Sequence, residues 1–364
     1  MSQKIFKGGF LEKLMIKFSA PSLEHKTNFF RLMAISQKAG LGIRDCLTSI
    51  KQSESHRGLR IIIDDLINQM TQGESLADAM SNHDYFFGYS EIELIRSSQL
   101  TGNLPDVLSQ IADELENMQN IRQTITKALT YPIILILFSI GAVIVLLVFV
   151  MPSIVSMFPS PDQLPGITKF MLGLSDFLKK TWALIIFLIF SGYIGISLLY
   201  KYFLPFKILV DTLSLKIPII KSVVKTFYMY RFCSTLGQFY QAGVNPVISL
   251  KLMSKILTNF QYKKKMIEIK DDISAGFSYY DSMEGSDLFD PILVQIVSVG
   301  ENTGSIGDSM KKISIFYDTL LKSKIAIMMA VLEPILMAGV AVIIGGIVAS
   351  IFLPMAEMLN VVGQ

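Results

Sequence analysis

Pro132 and Pro152 stand 20 residues apart and enclose the run IILILFSIGAVIVLLVFVM. Pro334 and Pro354, also 20 apart, enclose ILMAGVAVIIGGIVASIFL. Neither run holds a charged residue, and each is long enough for a helix to cross the roughly 30 Å hydrocarbon core of a bilayer. The correspondence extends upstream: Thr101-Gly102 precedes Pro132 by the 31 residues that separate Thr303-Gly304 from Pro334. A soluble segment together with its membrane helix therefore occurs twice in the chain, and any fold must accommodate that duplication.

A third apolar run, Trp182 to Tyr200, lies between the two copies. The formal net charge is only +3, but the placement of the 33 Lys and Arg residues is uneven. Between Pro152 and Thr181 the only basic residues are Lys169, Lys179 and Lys180, and none follows Lys324; the rest lie before Pro132 or from Lys201 to Lys324. By the positive-inside rule the N-terminus and the segment after the second span are cytoplasmic, while the intervening loop and the C-terminal tail are external. The start MSQKIFKGGFLEKLMIKF lacks a continuous apolar core and does not read as a secretory signal; it reads either as a short surface helix or as a frayed end. Cys46 and Cys233 both fall in cytoplasmic segments and read as reduced, buried thiols.

The soluble parts show helical periodicity and no strand alternation. Their punctuation repeats. Ala39-Gly40 is answered by Ala242-Gly243, and Gly73 with Ser75 and Asp78 by Gly276 with Ser278 and Asp281, all 203 positions on. Gly102, Asn103 and Asp106 are answered by Gly304, Ser305 and Asp308, now 202 on. A glycine just past a helix end takes the left-handed conformation that satisfies the last carbonyls, and Ser followed by an acid three residues on caps the next helix. The same Ser and Asp pairs are compatible with a ligand site, and Lys263-Lys264-Lys265 with an acidic partner, an anionic lipid or plain solvation. Between the copies, the prolines from Pro152 to Pro165 interrupt helix, and Ile167, Phe170, Met171, Leu174, Phe177 and Leu178 predict a short amphipathic helix on the outer membrane surface. Lys201 to Lys225 reads as a basic, proline-interrupted linker.

Chemistry is sparse. The dipeptide Gly-Lys of a phosphate loop never occurs, and no Gly-x-Ser-x-Gly elbow is present. His25, His56 and His83 lack metal-ligand spacing. The expectation is therefore no catalytic residue, no metal, no cofactor and no nucleic-acid partner. A transporter or channel built from a repeat is the rival, but its spans would carry polar residues, and these offer few: Ser139, Ser191, Ser197 and Ser350 besides glycines and the aromatic Trp182, Tyr193 and Tyr200.

The duplicated order of an Ala-Gly turn, a Gly-x-Ser box, a Thr-Gly turn and a span resembles the type II secretion F domain, over about Asn28 to Pro152 and Arg231 to Pro354. Gly300-Glu301-Asn302-Thr303-Gly304 is similar to that family's Gly-Glu-x-x-Gly turn, and Glu333-Pro334 to its Glu-Pro at the last span. The first copy departs from the pattern, with Ser98-Gln99 in place of Gly-Glu and Tyr131 in place of the acid. The resemblance implies an all-α membrane protein with two homologous cytoplasmic helical bundles and three transmembrane helices. The division expected is a 1–26 cytoplasmic segment, a 27–131 first module, a 132–152 span, a 153–181 external loop, a 182–200 span, a 201–230 linker, a 231–332 second module, a 333–354 span and a 355–364 external tail. It further implies a bacterial inner-membrane platform protein, with a periplasmic C-terminus, in a type IV pilus or type II secretion machine. The short N-terminal extension is more similar to type IVb pilus platforms. The implied partners are a cytoplasmic assembly ATPase, pilin or pseudopilin subunits, other inner-membrane assembly proteins and further copies of the chain. Partner or packing candidates are Glu333, Pro334, Glu301 and Gly304. Glu333 reads either as a carboxylate reaching water or as one paired with Lys127, Lys201 or Lys324.

Overall fold

The computed structural model of the chain describes residues 21–155 and 166–362. Among them all regular structure is helical. The first copy contributes α1 (Leu23–Lys38), α2 (Ile43–Ser53), α3 (Arg57–Thr71), α4 (Leu76–Ser81), α5 (Tyr89–Thr101) and α6 (Leu104–Val145). A π-helical turn (Leu146–Val150) leads to α7 (Met151–Val155), and α8 (Gly166–Tyr202) and α9 (Leu204–Ser214) follow. The second copy gives α10 (Pro218–Gln241), α11 (Pro246–Ile256), α12 (Phe260–Ser274), α13 (Tyr279–Met283), α14 (Pro291–Asn302) and α15 (Ile306–Val362). The N-terminal basic stretch, residues 1–20, and Pro159, Pro161 and Pro165 lie outside the described residues.

The chain divides into two compact units. One combines the residues up to Gln123 with Ser214–Lys322, and the other combines Thr124–Leu213 with the residues from Ser323. The two soluble modules, expected as separate domains, thus pack together as one body. Their cores repeat below the level of visible sequence identity. Phe29 meets Phe87 with ring centroids 5.7 Å apart, and their counterparts Phe232 and Phe289 meet at 5.3 Å. Lys26 and Glu91 form a nearly buried ion pair at 2.6 Å, whereas the same positions in the second copy are the fully buried Met229 and Leu293. An ion pair and an apolar pair exchange here because desolvating two charges offsets most of their attraction. Burial accordingly raises the Glu91 carboxyl above its ordinary value, and Lys26 opposes the shift.

The second module begins earlier than expected. α10 starts at Pro218, so residues 218–230 belong to the module and not to a linker. The rest of the expected linker is helical too: α9 is held to the end of α8 by the Tyr200 hydroxyl donating to buried Asp211 at 2.9 Å.

Among the described residues three helices are long and apolar enough to cross a membrane: Leu104–Ser153, Thr168–Tyr202 and Ile306–Leu353. Pro132, Pro152, Pro334 and Pro354 do not end them; Pro132 lies inside α6, and α15 continues past both of its prolines to Val362. Residues 355–362 are therefore helix as well. The expected surface helix is likewise not a separate element, because residues 166–202 form one continuous helix. Its apolar residues Phe170 and Phe177 point outward, while Thr168 and Ser175 are buried in the bundle. That inversion is what a membrane permits: outward apolar side chains meet lipid, and polar ones seek partners inside.

Those partners are specific. Pro152 and Pro354 have no amide hydrogen, so each leaves a helix carbonyl without its donor. Around Pro152 the ladder widens into the π-helical turn, in which the Met151 amide bonds the Leu146 carbonyl five residues back. In that register the Leu147 carbonyl would take its hydrogen from Pro152, which has none. The Ser175 hydroxyl donates to it instead, at 2.6 Å. In α15 the Ser350 carbonyl would be bonded from Pro354, and the Thr168 hydroxyl donates to it at 2.8 Å. One helix thus repairs the proline defect of both repeated spans, from two residues on one of its faces.

Candidate functional site

The repeated boxes are caps. The Ser75 hydroxyl accepts from the Asp78 amide at 3.1 Å and donates to the Asp78 carboxylate at 2.6 Å; Ser278 and Asp281 do the same at 3.0 and 2.6 Å. The Ser75 hydroxyl, and after it the Arg96 guanidinium, holds the Asp78 carboxyl below its ordinary range. Gly73 and Gly276 precede the boxes at φ +95° and +91°, a conformation that a Cβ would strain. Gly102 and Gly304 take left-handed φ of +76° and +66° in the turns before α6 and α15.

Asp106 and Asp308 do more than start helices. Asp106 pairs with Lys38 at 3.2 Å, and Asp308 accepts from Gln241 at 3.3 Å. Lys38 and Gln241 are repeat counterparts, so each module ties the end of its first helix to the start of its last by the same contact. Glu301 caps α13: both of its carboxylate oxygens accept from the Tyr279 amide, at 3.1 and 3.0 Å. Its counterpart Gln99 accepts from the Ala77 amide at 3.2 Å. The Gln therefore keeps the acceptor that the cap requires.

The contact that joins the modules was not visible in the sequence. Glu114, on α6 and nearly buried, receives four donors from one face of α10. Tyr230 and Arg231 each donate at 3.1 Å, Gln238 at 3.4 Å, and Ser234 more closely. Burial, and then the Glu114 carboxylate, pushes the Tyr230 phenol up, so it stays a protonated donor. On the other side of the junction α5 meets α10 and α11: the Ser97 hydroxyl donates to the Ala242 carbonyl at 2.5 Å, and the Lys255 ammonium lies 4.8 Å from the Tyr89 ring centroid. An offset of 116 to 124 residues separates Glu114 from its donors, with no periodicity to announce it.

Glu333 is turned outward and makes no ion pair among the described residues, with Lys127, Lys201 or Lys324 included. Pro334 is exposed beside it. Ser139 and Ser350 donate to carbonyls of their own helices, Leu135 at 2.7 Å and Ile347 at 2.7 Å, rather than lining a polar path. His25 and His56, distant in sequence, bring their rings to 4.8 Å, while His83 bonds Asp65 at 2.7 Å. No group of three or more His, Cys, Asp or Glu residues that could hold a metal occurs among the described residues.

Two packed helical modules each run into a helix long and apolar enough to cross a membrane. Residues 29–152 and 232–354 match the family described as Type II secretion system (T2SS), protein F. The chain belongs to that family. The protein F match covers both copies separately, so the duplication and the family coincide. Among its relatives, the type IV pilus assembly protein PilC of Pseudomonas aeruginosa is 28% identical over 338 residues, 92% of this chain and 90% of the relative. The type II secretion system protein F of Vibrio cholerae is 25% identical over 337 residues, 92% and 82% of the two chains. The PilC of Thermus thermophilus is 26% identical over 348 residues, 93% and 84%. The chain therefore matches proteins of pilus assembly and of secretion along nearly its whole length.

Proposed function

We propose that the chain is the inner-membrane platform of a type IV pilus or type II secretion assembly machine. It couples a cytoplasmic ATPase, docked on the joined modules, to pilin or pseudopilin subunits beside the spans, working as a homo-oligomer with other inner-membrane assembly proteins. The observation that carries this reading is the Glu114 junction. It makes one body of two modules whose last helices continue as membrane spans, so a partner bound to either module acts on both. The pilus relatives and the secretion relative support the two machines alike.

The full-length protein in detergent should capture the cognate assembly ATPase in a pull-down and hydrolyse no ATP alone. Failure of folded protein to capture the ATPase would end the coupling role. Orientation follows from the lysine and arginine asymmetry. Reporter fusions after Gln163 and at Gln364 are expected on the periplasmic side and fusions near Glu268 in the cytoplasm; a cytoplasmic reporter at Gln364 would reverse the assignment.

A further inference from the structure

Within one chain, α5 of the first module lies on the α10–α11 corner of the second, while Glu114 of α6 reaches the neighbouring face of α10. The contact is not reciprocal. The counterpart surfaces, α14 of the second module and the α1–α2 corner of the first, are not joined to each other among the described residues, and they are more apolar than the surfaces in use. Where α5 carries the half-buried Ser90 and Ser97, α14 carries Ile292 and Val299, exposed by 60% and 51%. Where the corner of the second module has Gln238 and Val244, that of the first has Ile35 and Leu41, exposed by 58% and 47%. Glu114 and Gln238, 3.4 Å apart, correspond to Phe316 and Ile35, both exposed. A polar contact inside the chain thus has an exposed apolar counterpart among the described residues.

We infer that α14 of one copy docks on the α1–α2 corner of the next, repeating between chains the contact that joins the two modules within a chain. Two uncovered surfaces that descend from one interface are complementary to each other. They lie on opposite partners of the contact, so the association is heterologous and grows head to tail until it closes as a ring or runs on as an arc. Apolar residues at the centre suit it, since interface cores are depleted of charge. Uncovered, Ile292, Val299 and Phe316 would form the kind of exposed apolar patch that soluble surfaces avoid. This assignment deepens the proposed platform role by naming its self-contact, and its test does not involve the ATPase.

By the repeat, residue 299 of one copy should lie beside residue 39 of the next, as Ser97 lies on Ala242. The native thiols Cys46 and Cys233 are buried and do not compete for reagent. Full-length chains carrying Val299→Cys and differently tagged chains carrying Ala39→Cys, co-expressed and treated in membranes with a short bis-maleimide, should yield the mixed dimer. Neither variant alone should crosslink to itself. Val299→Asp should lower the apparent self-association constant at least tenfold, and mixing it with Ile35→Lys chains should restore it. Three results would overturn the inference: no mixed dimer from an oligomeric sample, self-crosslinking of Val299→Cys alone, or a monomeric wild type at all concentrations.

Discussion

Glu114→Ala lowers the apparent melting temperature of the detergent-solubilised protein and opens the second module around α10. Removing one partner of a buried, hydrogen-bonded charge costs about 3 kcal/mol at the low end, and Glu114 is the acceptor for four donors. For a body of this size that is a fall of roughly 6–12 °C. Glu114→Gln keeps a carbonyl for Ser234 or Tyr230 but loses the charge opposite Arg231, so its fall is expected to be about a third as large, near the ~1 kcal/mol of an ordinary hydrogen bond. The chain carries its own local reporter. Cys233 lies on α10 between Arg231 and Ser234 and is fully buried, with its thiol pushed well up by that burial. Maleimide labelling of Cys233 should therefore accelerate in Glu114→Ala, while buried Cys46 in the first module stays protected. An unchanged melting temperature together with unchanged Cys233 protection would mean that the modules are joined by something other than this carboxylate.

What the sequence made legible was whatever rests on local chemistry. Glycines at left-handed turns, Ser-x-x-Asp caps and charge-free runs each act within a few residues, and Gly73, Ser75 and Asp78 sit as their spacing predicts. Relations between distant segments were not legible. Nothing in the local sequence marks Glu114 as the partner of Tyr230, Arg231, Ser234 and Gln238, more than a hundred residues on. The Phe29–Phe87 and Phe232–Phe289 pairs mark the same core twice, but they emerge only once the offset is carried through residue by residue. Proline was the main source of error. Pro152 was read as a stop because it lacks a donor, which is correct for a helix in water with no neighbour; here the carbonyl it frees is served by another helix. Residues 167–178 are helical, as their periodicity predicts, but run on into the next apolar run as one helix; periodicity identifies two faces but not where the helix ends.

Ser175→Ala should destabilise the membrane unit mainly while Pro152 is present. The hydroxyl donates to the Leu147 carbonyl at 2.6 Å, and both residues are buried, so truncation strands an acceptor where no water can replace the donor. Stranding a buried acceptor costs about 1–3 kcal/mol, and hydrogen bonds between membrane helices measure near the low end, so about 1 kcal/mol is expected in a mixed-micelle SDS titration. Ser175→Thr, which retains the hydroxyl, should recover most of it. Pro152→Ala supplies an amide hydrogen at residue 152 and lets the π-helical turn relax toward ordinary helix, giving the carbonyl a donor of its own. In that background Ser175→Ala should cost less than half as much, and the difference between the two costs is the coupling of the serine to the proline. Thr168→Ala tested with and without Pro354→Ala should behave alike, since the Ser350 carbonyl stands in the same relation to Pro354. The cycle separates this account from simple packing, because a methyl-sized loss at residue 175 would be felt equally whichever residue occupies position 152. Equal costs in the two backgrounds would leave the serine a packing residue, and the prolines of the repeated spans would need another explanation.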